Sequence, residues 1–483
     1  MKKFTLVLFT LLTIITPPNA WGEEYVNNGV TYEYTPVTEG DGVATVKSVN
    51  TSAEAIEIPA SFTITVEEVN HTYNITAITS NAFAGCSVLE TLTIGDNVTS
   101  LSDNIFSDCT ELRTLTIGNG ITTITNKTFS GCTALRTLTL GTGITTINSS
   151  AFNDCSSLRT LTVKSTISLA NLNIDFTHSA LPNTLCIAYK GLKYYHQGSW
   201  SSGYFKVGDG STSAGFDNTT KEGTNLYILE TVCDIPVTTI TGLAFKGVAP
   251  NFTIHIPSSI TTISDTSFQE NKLSSFDVDG SNANYKSING VLFSKNGETL
   301  ISYPIQKGNS YTVPDGVKAI GMNAFYKHEA LTHVTFPNSL EKIEQSAFQL
   351  AGRGSTLNIT FGTGLKTIAL NAFRESGVST IIFPEKLEEI GATAFYNSAQ
   401  LTAVTFPASL KSIAAGAFNE CRKLTTLNFA ASYETNKLTI GGSAFYNCKL
   451  QNTITLPEGV TKIGEYNQEI KGKMNVEIIP VSA

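Results

Sequence analysis

Six of the eight cysteines, Cys86, Cys109, Cys132, Cys155, Cys421 and Cys448, fall in one column of a repeating pattern, and that placement decides which thiol chemistry is open to them. Stacked one coil above another they lie about 4.8 Å apart, within the Cα range for bridging but pointing in parallel, so a buried ladder of free thiols is expected. Cys186 and Cys233 stand outside the column and are the pair that could form a disulfide. Zinc is a poor fit, because no C-x-x-C occurs and the six histidines, at 71, 178, 196, 255, 328 and 333, are scattered. Asp277-Val278-Asp279-Gly280 hints at calcium, but its glycine comes too early for an EF-hand loop, and the stretch also reads as a strand ending in a turn. The hydrolase and nucleotide motifs G-x-S-x-G, H-E-x-x-H and G-x-x-x-x-G-K-[ST] are absent. No catalytic residue, metal site or cofactor is therefore assigned.

Binding chemistry has better candidates. Arg113, Arg136 and Arg159 recur every 23 residues. Like charges opposite one another across strands destabilise a sheet, so this row calls for neighbouring acids such as Glu111 or for an anionic partner. Beside it run two threonine columns, Thr91/Thr93, Thr114/Thr116, Thr137/Thr139 and Thr160/Thr162, either a solvated strand face or a regular hydroxyl surface for a repeating ligand. A third candidate is an aromatic island: Tyr189, Tyr194, Tyr195, Trp200, Tyr204 and Phe205 crowd together beside the Gly/Ser-rich stretch 198–224. Tyr194, Tyr195, Trp200 and Tyr204 would stack on a sugar or anchor a protein partner if they lie on an exposed loop. A packed cap would use the same residues.

The elements that position these groups follow from a recurring phenylalanine. Phe83, Phe106, Phe129 and Phe152 are 23 residues apart, and the beat returns at Phe245, Phe268, Phe325, Phe348, Phe373, Phe395, Phe418 and Phe445. Ile78, Leu101, Ile124 and Ile147 precede the first four by five residues, and Leu89, Leu112, Leu135 and Leu158 follow by six. Then comes a period-two alternation, such as Leu115/Ile117, that reads as a short half-buried strand. Each unit buries its apolar face only against its neighbours, which is the signature of a repeat array.

Units such as "ITTITNKTFSGCTALRTLTL" and "LKSIAAGAFNECRKLTTLNF" resemble the BspA-like leucine-rich repeats of bacterial surface proteins, and the segment "YKSINGVLFSKNGETLISYP" resembles the hairpin that often interrupts such arrays. The resemblance covers roughly 75–463. It implies a leucine-rich-repeat solenoid of about 23-residue units, with short parallel strands, irregular or single-turn helical connections and a β-rich N-terminal cap. It also implies adhesion, with host extracellular or cell-surface proteins or glycans as partners.

The organisation expected is a signal peptide at 1–22, an N-terminal β cap at 23–75 and a first array at 76–163. Diverged repeats with the Gly/Ser/aromatic insertion follow at 164–233, then a second array at 234–463 with a hairpin at 285–304, and a cap or tail at 464–483. Within the hairpin, Asn296-Gly297 is a type I′ turn signal. Lys2 and Lys3 before an apolar run from Phe4 to Ile15 mark the secretory signal, and the run falls short of the ~20 residues that span a bilayer. The first cysteine is Cys86, so a lipoprotein anchor on an N-terminal cysteine is not expected, nor is a transmembrane segment in the mature chain. Net charge is -8, and no basic stretch or motif points to nucleic acid. Together these features describe a secreted or cell-surface, non-enzymatic binding protein of adhesin type, or alternatively a structural component of the bacterial envelope without a specific soluble ligand.

Overall fold

Alternation in each repeat becomes a strand with one dry face. In the computed structural model, Leu92 and Ile94, Leu115 and Ile117, Leu138 and Leu140, and Leu161 and Val163 are buried, while the threonines between them point outward. The structure describes residues 22–465 except 67, 108, 149, 165–184, 190–191, 198–202, 209–223, 233, 249, 271, 434 and 451–456. The signal segment, Phe176, Trp200, Cys233, most of the 198–224 stretch and the end of the tail lie outside the described residues.

Two compact units are formed. The first holds the residues up to Gly208 together with Leu229–Thr239; the second holds Thr224–Ile228 and Ile240 onward. The first unit begins with a five-stranded sheet of Glu23–Asn27, Val30–Tyr34, Gly42–Val49, Val69–Ile78 and Ser61–Val66, in that spatial order. Asn28 and Gly29 both take positive φ, a type I′ hairpin turn, and Tyr25, Tyr32, Phe62 and Tyr73 pack against one another on the sheet. The coils follow. Ala55–Ile58, Thr91–Ile94, Thr114–Ile117, Thr137–Leu140, Thr160–Val163 and Cys186–Tyr189 pair in parallel without a register shift. Leu192–Gln197 and Tyr204–Val207 extend the sheet antiparallel. Coils approach closely beyond the strands: a Cβ on Gly118 would fall 2.5 Å from the carbonyl of Gly95, and one on Gly141 2.3 Å from Gly118 O. Only glycine fits there.

In the second unit a narrow ten-stranded ladder runs from Tyr285–Ile288 to Lys462–Ile463. The hairpin strand Thr299–Ser302 pairs in parallel with Ala319–Ile320, so the hairpin is the start of the ladder. Its type I′ turn is Asn289-Gly290, where both residues have positive φ. Asn296-Gly297, the expected position, differs: only Gly297 is left-handed, its N–H donates to Ser294 O at 2.8 Å, and the strand register shifts between Leu292 and Phe293. That is a type I turn with a glycine bulge, because one extra residue must be accommodated.

The phenylalanines stack as a spine. Ring centroids are 4.5 Å apart for Phe325 and Phe348, 4.9 Å for Phe348 and Phe373, and 5.0 Å for both Phe373–Phe395 and Phe395–Phe418. Among the described residues there is no helix, so of the two expected connections, irregular or single-turn helical, the irregular one is present. Each spine Phe from Phe325 to Phe445 instead sits between two left-handed residues, as with Asn371 and Glu375 around Phe373 or Thr393 and Asn397 around Phe395. This kinked path turns the amides sideways: the N–H of Phe325, Phe348, Phe373, Phe395 and Phe418 each donates to an alanine carbonyl one coil on, at 2.7 Å. The strain of a non-glycine left-handed residue is offset by a hydrogen bond that a helical turn would spend within the coil. A second aromatic column, Phe336, Phe361, Phe383, Phe406 and Phe429, lines the strands of this unit and meets the spine edge-on, as at Phe406 and Phe418.

The cysteine column also serves the stacking. Cys132, Cys155, Cys421 and Cys448 each place Sγ within 3.0–3.4 Å of the carbonyl of the preceding coil's Phe (Phe106, Phe129, Phe395 and Phe418), and Ser398 does the same to Phe373 with its hydroxyl. Burial pushes the thiols of Cys155 and Cys421 up to about 12 and raises that of Cys132 as well. A raised pKa favours the folded state below the ordinary thiol value of 9, and that advantage is lost as pH climbs through about 12. Iodoacetamide at pH 8 should therefore leave Cys132, Cys155 and Cys421 unmodified in the native protein and alkylate them after denaturation, and stability should fall above pH 9. Rapid native alkylation, read by peptide mass spectrometry, would contradict the ladder.

Candidate functional site

With the inward positions consumed by packing, the outer face of the first unit's wide sheet presents polar and charged side chains in register. Register sets this face row by row. One row runs Thr91, Thr114, Thr137, Thr160, Cys186, Tyr195 and Lys206; the next runs Glu57, Thr93, Thr116, Thr139, Thr162, Ala188 and Lys193. The residue before each strand gives a third row, Glu54, Glu90, Arg113, Arg136 and Arg159, linked from each backbone N–H to the carbonyl of the coil before.

Charge is distributed unevenly along that third row. Arg113 is held by acids on both sides, Nε lying 3.3 Å from Glu90 and Nη2 3.3 Å from Glu111. The Nε contact is an ion pair rather than an aligned hydrogen bond, since Nε lacks a hydrogen-bond partner by geometry. Arg136 and Arg159 are exposed and form no salt bridge with any carboxylate among the described residues. Beyond Arg159 the small, buried Cys186 lies between Thr160 on one side and Tyr195 on the other. An open concavity of about 350 Å3 is lined here by Arg159, Thr160, Cys186, Lys193 and Tyr195.

The second unit handles charge differently. Its row Glu298, Lys318, Glu341, Lys366, Glu388 and Lys411 alternates in sign from coil to coil, and Glu341–Lys366 and Glu388–Lys411 close at 2.8 and 2.7 Å. Hydrogen bonds from Lys366 and Lys411 hold Glu341 and Glu388 below the ordinary carboxylate range, while Glu298 and Glu341 raise Lys318 and Lys366. These pairs favour folding above the carboxylate range and below the lysine range, and weakly, being in solvent.

The aromatic island divides. Tyr194, expected as a ligand-binding residue, is fully buried: it faces the core because its strand alternates, and its hydroxyl accepts the N–H of Leu229 at 3.2 Å. Phe205 and Tyr189 are buried too, so Tyr204–Val207 is a structural strand rather than part of a loop. Tyr195 lines the concavity and Tyr204 is exposed, paired across from Gln197; Trp200 lies outside the described residues. Arg159 and Tyr195 are thus brought together, whereas Arg113 is neutralised two coils away. Thr160, from the threonine columns, joins them, as do Lys193 and Cys186, which were not expected as binding residues. Cys186 stands 26 residues after Thr160, one coil on, so the spacing itself carried that signal.

Among the described residues no group of three His, Cys, Asp or Glu could hold a metal. Asp279 accepts hydrogen bonds from the amide and hydroxyl of Ser281, and Asp277 lies 2.9 Å from His255 Nδ1, so the calcium-like stretch is a strand end and its turn. No helix in the described residues is long and apolar enough to cross a membrane.

The sequence model of the BspA type leucine-rich repeat region matches residues 55–177, 224–307, 302–425 and 350–469. The chain belongs to the BspA-type leucine-rich repeat family. No curated protein matches it significantly. Solved structures similar to this BspA-type chain include a leucine rich cell surface protein from Faecalibacterium prausnitzii, 22% identical over 84% of this chain and 95% of that one, with a TM-score of 0.36. The pneumococcal vaccine antigen PcpA is 19% identical over 94% and 97% (TM-score 0.33), and a leucine-rich repeat protein from Eubacterium ventriosum is 19% identical over 89% and 96% (TM-score 0.38).

The two neighbouring tyrosines give a direct check of which face is which. Tyr194→Phe leaves the half-buried Leu229 N–H without its acceptor and should cost about 1–3 kcal/mol, whereas Tyr195→Phe, which keeps the ring on the outer face, should cost less. Urea unfolding of both variants measures this, and equal effects would contradict the assignment.

Proposed function

We propose that this chain is an exported, non-enzymatic binding protein of adhesin type, acting outside the cell on host matrix proteins or cell-surface glycans. The observation that carries the reading is the division of labour between faces. Inward positions are committed to the Phe, Leu and Cys columns, while the outer face of the first unit presents rows of half-exposed threonines that end in exposed cations and a tyrosine-lined concavity. Among the described residues that line that concavity there is no carboxylate or imidazole to serve as a general base. Family membership and the Lys2-Lys3 apolar leader support export and a surface role. Many weak contacts repeated along stacked coils add through multivalency, which suits an extended partner better than a small molecule.

Purified protein applied to an array of glycans and extracellular-matrix proteins tests this. Saturable binding to one class is expected. Absence of binding from protein with a cooperative unfolding transition would favour a structural role in the envelope instead.

A further inference from the structure

Taking that binding reading as its basis, we infer that the outer sheet face of the first unit, centred on Arg136, Arg159, Lys193 and Tyr195, is a site for a polyanionic polysaccharide, one carrying sulfate or carboxylate groups. A stacked array can cancel a charge row by alternating its sign, and the second unit does so from Glu298 to Lys411. In the first unit the corresponding means are available, since Glu90 and Glu111 already neutralise Arg113, yet they stop there. Arg136 and Arg159 follow on successive coils with the same sign and no carboxylate partner among the described residues, in a chain whose net charge is -8. Adjacent coils lie about 4.8 Å apart, so the two guanidinium groups form a short cationic track across the strands. Lys193, in the Thr162 and Ala188 row, adds a further cation to the concavity that Arg159 lines.

Chemistry selects the occupant. A guanidinium fork matches the paired oxygens of sulfate or carboxylate. Thr137, Thr139, Thr160 and Thr162 beside the track are half-exposed hydroxyls that can donate to or accept from sugar hydroxyls. Tyr195 supplies an aromatic face at the end of the track, where a sugar ring can stack. An acidic peptide would satisfy the cations but not the hydroxyl rows or the ring.

The test uses heparin as the sulfated probe, with neutral dextran and poly-glutamate as controls, on the purified full chain by titration calorimetry. Heparin should bind, more weakly as salt is raised because fixed charges release counterions on pairing. The double variant Arg136→Glu/Arg159→Glu should lose about a hundredfold or more in affinity, and Tyr195→Ala roughly three- to tenfold. Lys366→Glu/Lys411→Glu makes the same net-charge change in the second unit and should leave heparin affinity unaltered. Circular dichroism and melting identify any variant that fails to fold, and Arg136→Gln/Arg159→Gln then replaces it, with the same loss expected. Equal loss from the Lys366/Lys411 variant, undiminished binding by the Arg136/Arg159 variant, or equally tight poly-glutamate would each overturn the assignment. No heparin binding alongside saturable binding to a neutral glycan or matrix protein would overturn this site while leaving the wider binding reading standing; no binding to any of them would overturn both.

Discussion

A single coil of this chain cannot be dry on its own. Its apolar side chains meet across an interior only one coil thick, so its Phe, Leu and Ile become buried only when a neighbouring coil is seated at sheet spacing. That seating is the constraint on which the rest depends. A buried Phe contributes about 2–3 kcal/mol through the area it removes from water, and the spine of Phe325, Phe348, Phe373, Phe395 and Phe418 repeats that gain at every coil. The kinked backbone around each Phe, the thiol of Cys421 against Phe395 O and the bare Cα of Gly118 are separate answers to the same demand for close lateral approach. Function follows from what this leaves over. Because packing consumes one face, the other is free to vary, and the first unit uses it for threonines and uncompensated arginines while the second fills a comparable row with self-neutralising pairs.

Most of the fold was legible in the sequence because a repeat states each packing rule many times. One Phe at position 129 says little; Phe at 83, 106, 129 and 152 defines a column, and the columns gave the strands, their buried faces and the thiol ladder. The departures come from information that a column does not carry. Backbone handedness at Asn371 or Thr393 is set by lateral hydrogen bonding, so an irregular left-handed path could not be told from a helical turn. Asn296-Gly297 and Asn289-Gly290 present the same dipeptide, and only the strand register decides which forms the type I′ turn. The second aromatic column, Phe336 to Phe429, was present in the spacing and followed from the same logic as the first.

The candidate site was half legible. The arginine row and the threonine columns could be read from periodicity, and the structure adds that Arg113 is neutralised whereas Arg136 and Arg159 are not. The aromatic island could not be resolved from composition, because Tyr194 and Tyr195 are adjacent and identical. Strand alternation sends one into the core and the other to the concavity. Lys193 reached the site through an antiparallel pairing with the Cys186–Tyr189 strand that no local motif announces.

The central claim is that coil-on-coil packing through the Phe spine holds the fold together, and denaturant unfolding of Phe129→Ala tests it most directly. Phe129 is fully buried between Phe106 and Phe152, with ring centroids at 6.0 and 5.3 Å. Truncation should lower stability by about 3–5 kcal/mol. An unfolding midpoint and slope equal to those of the parent protein would contradict the account.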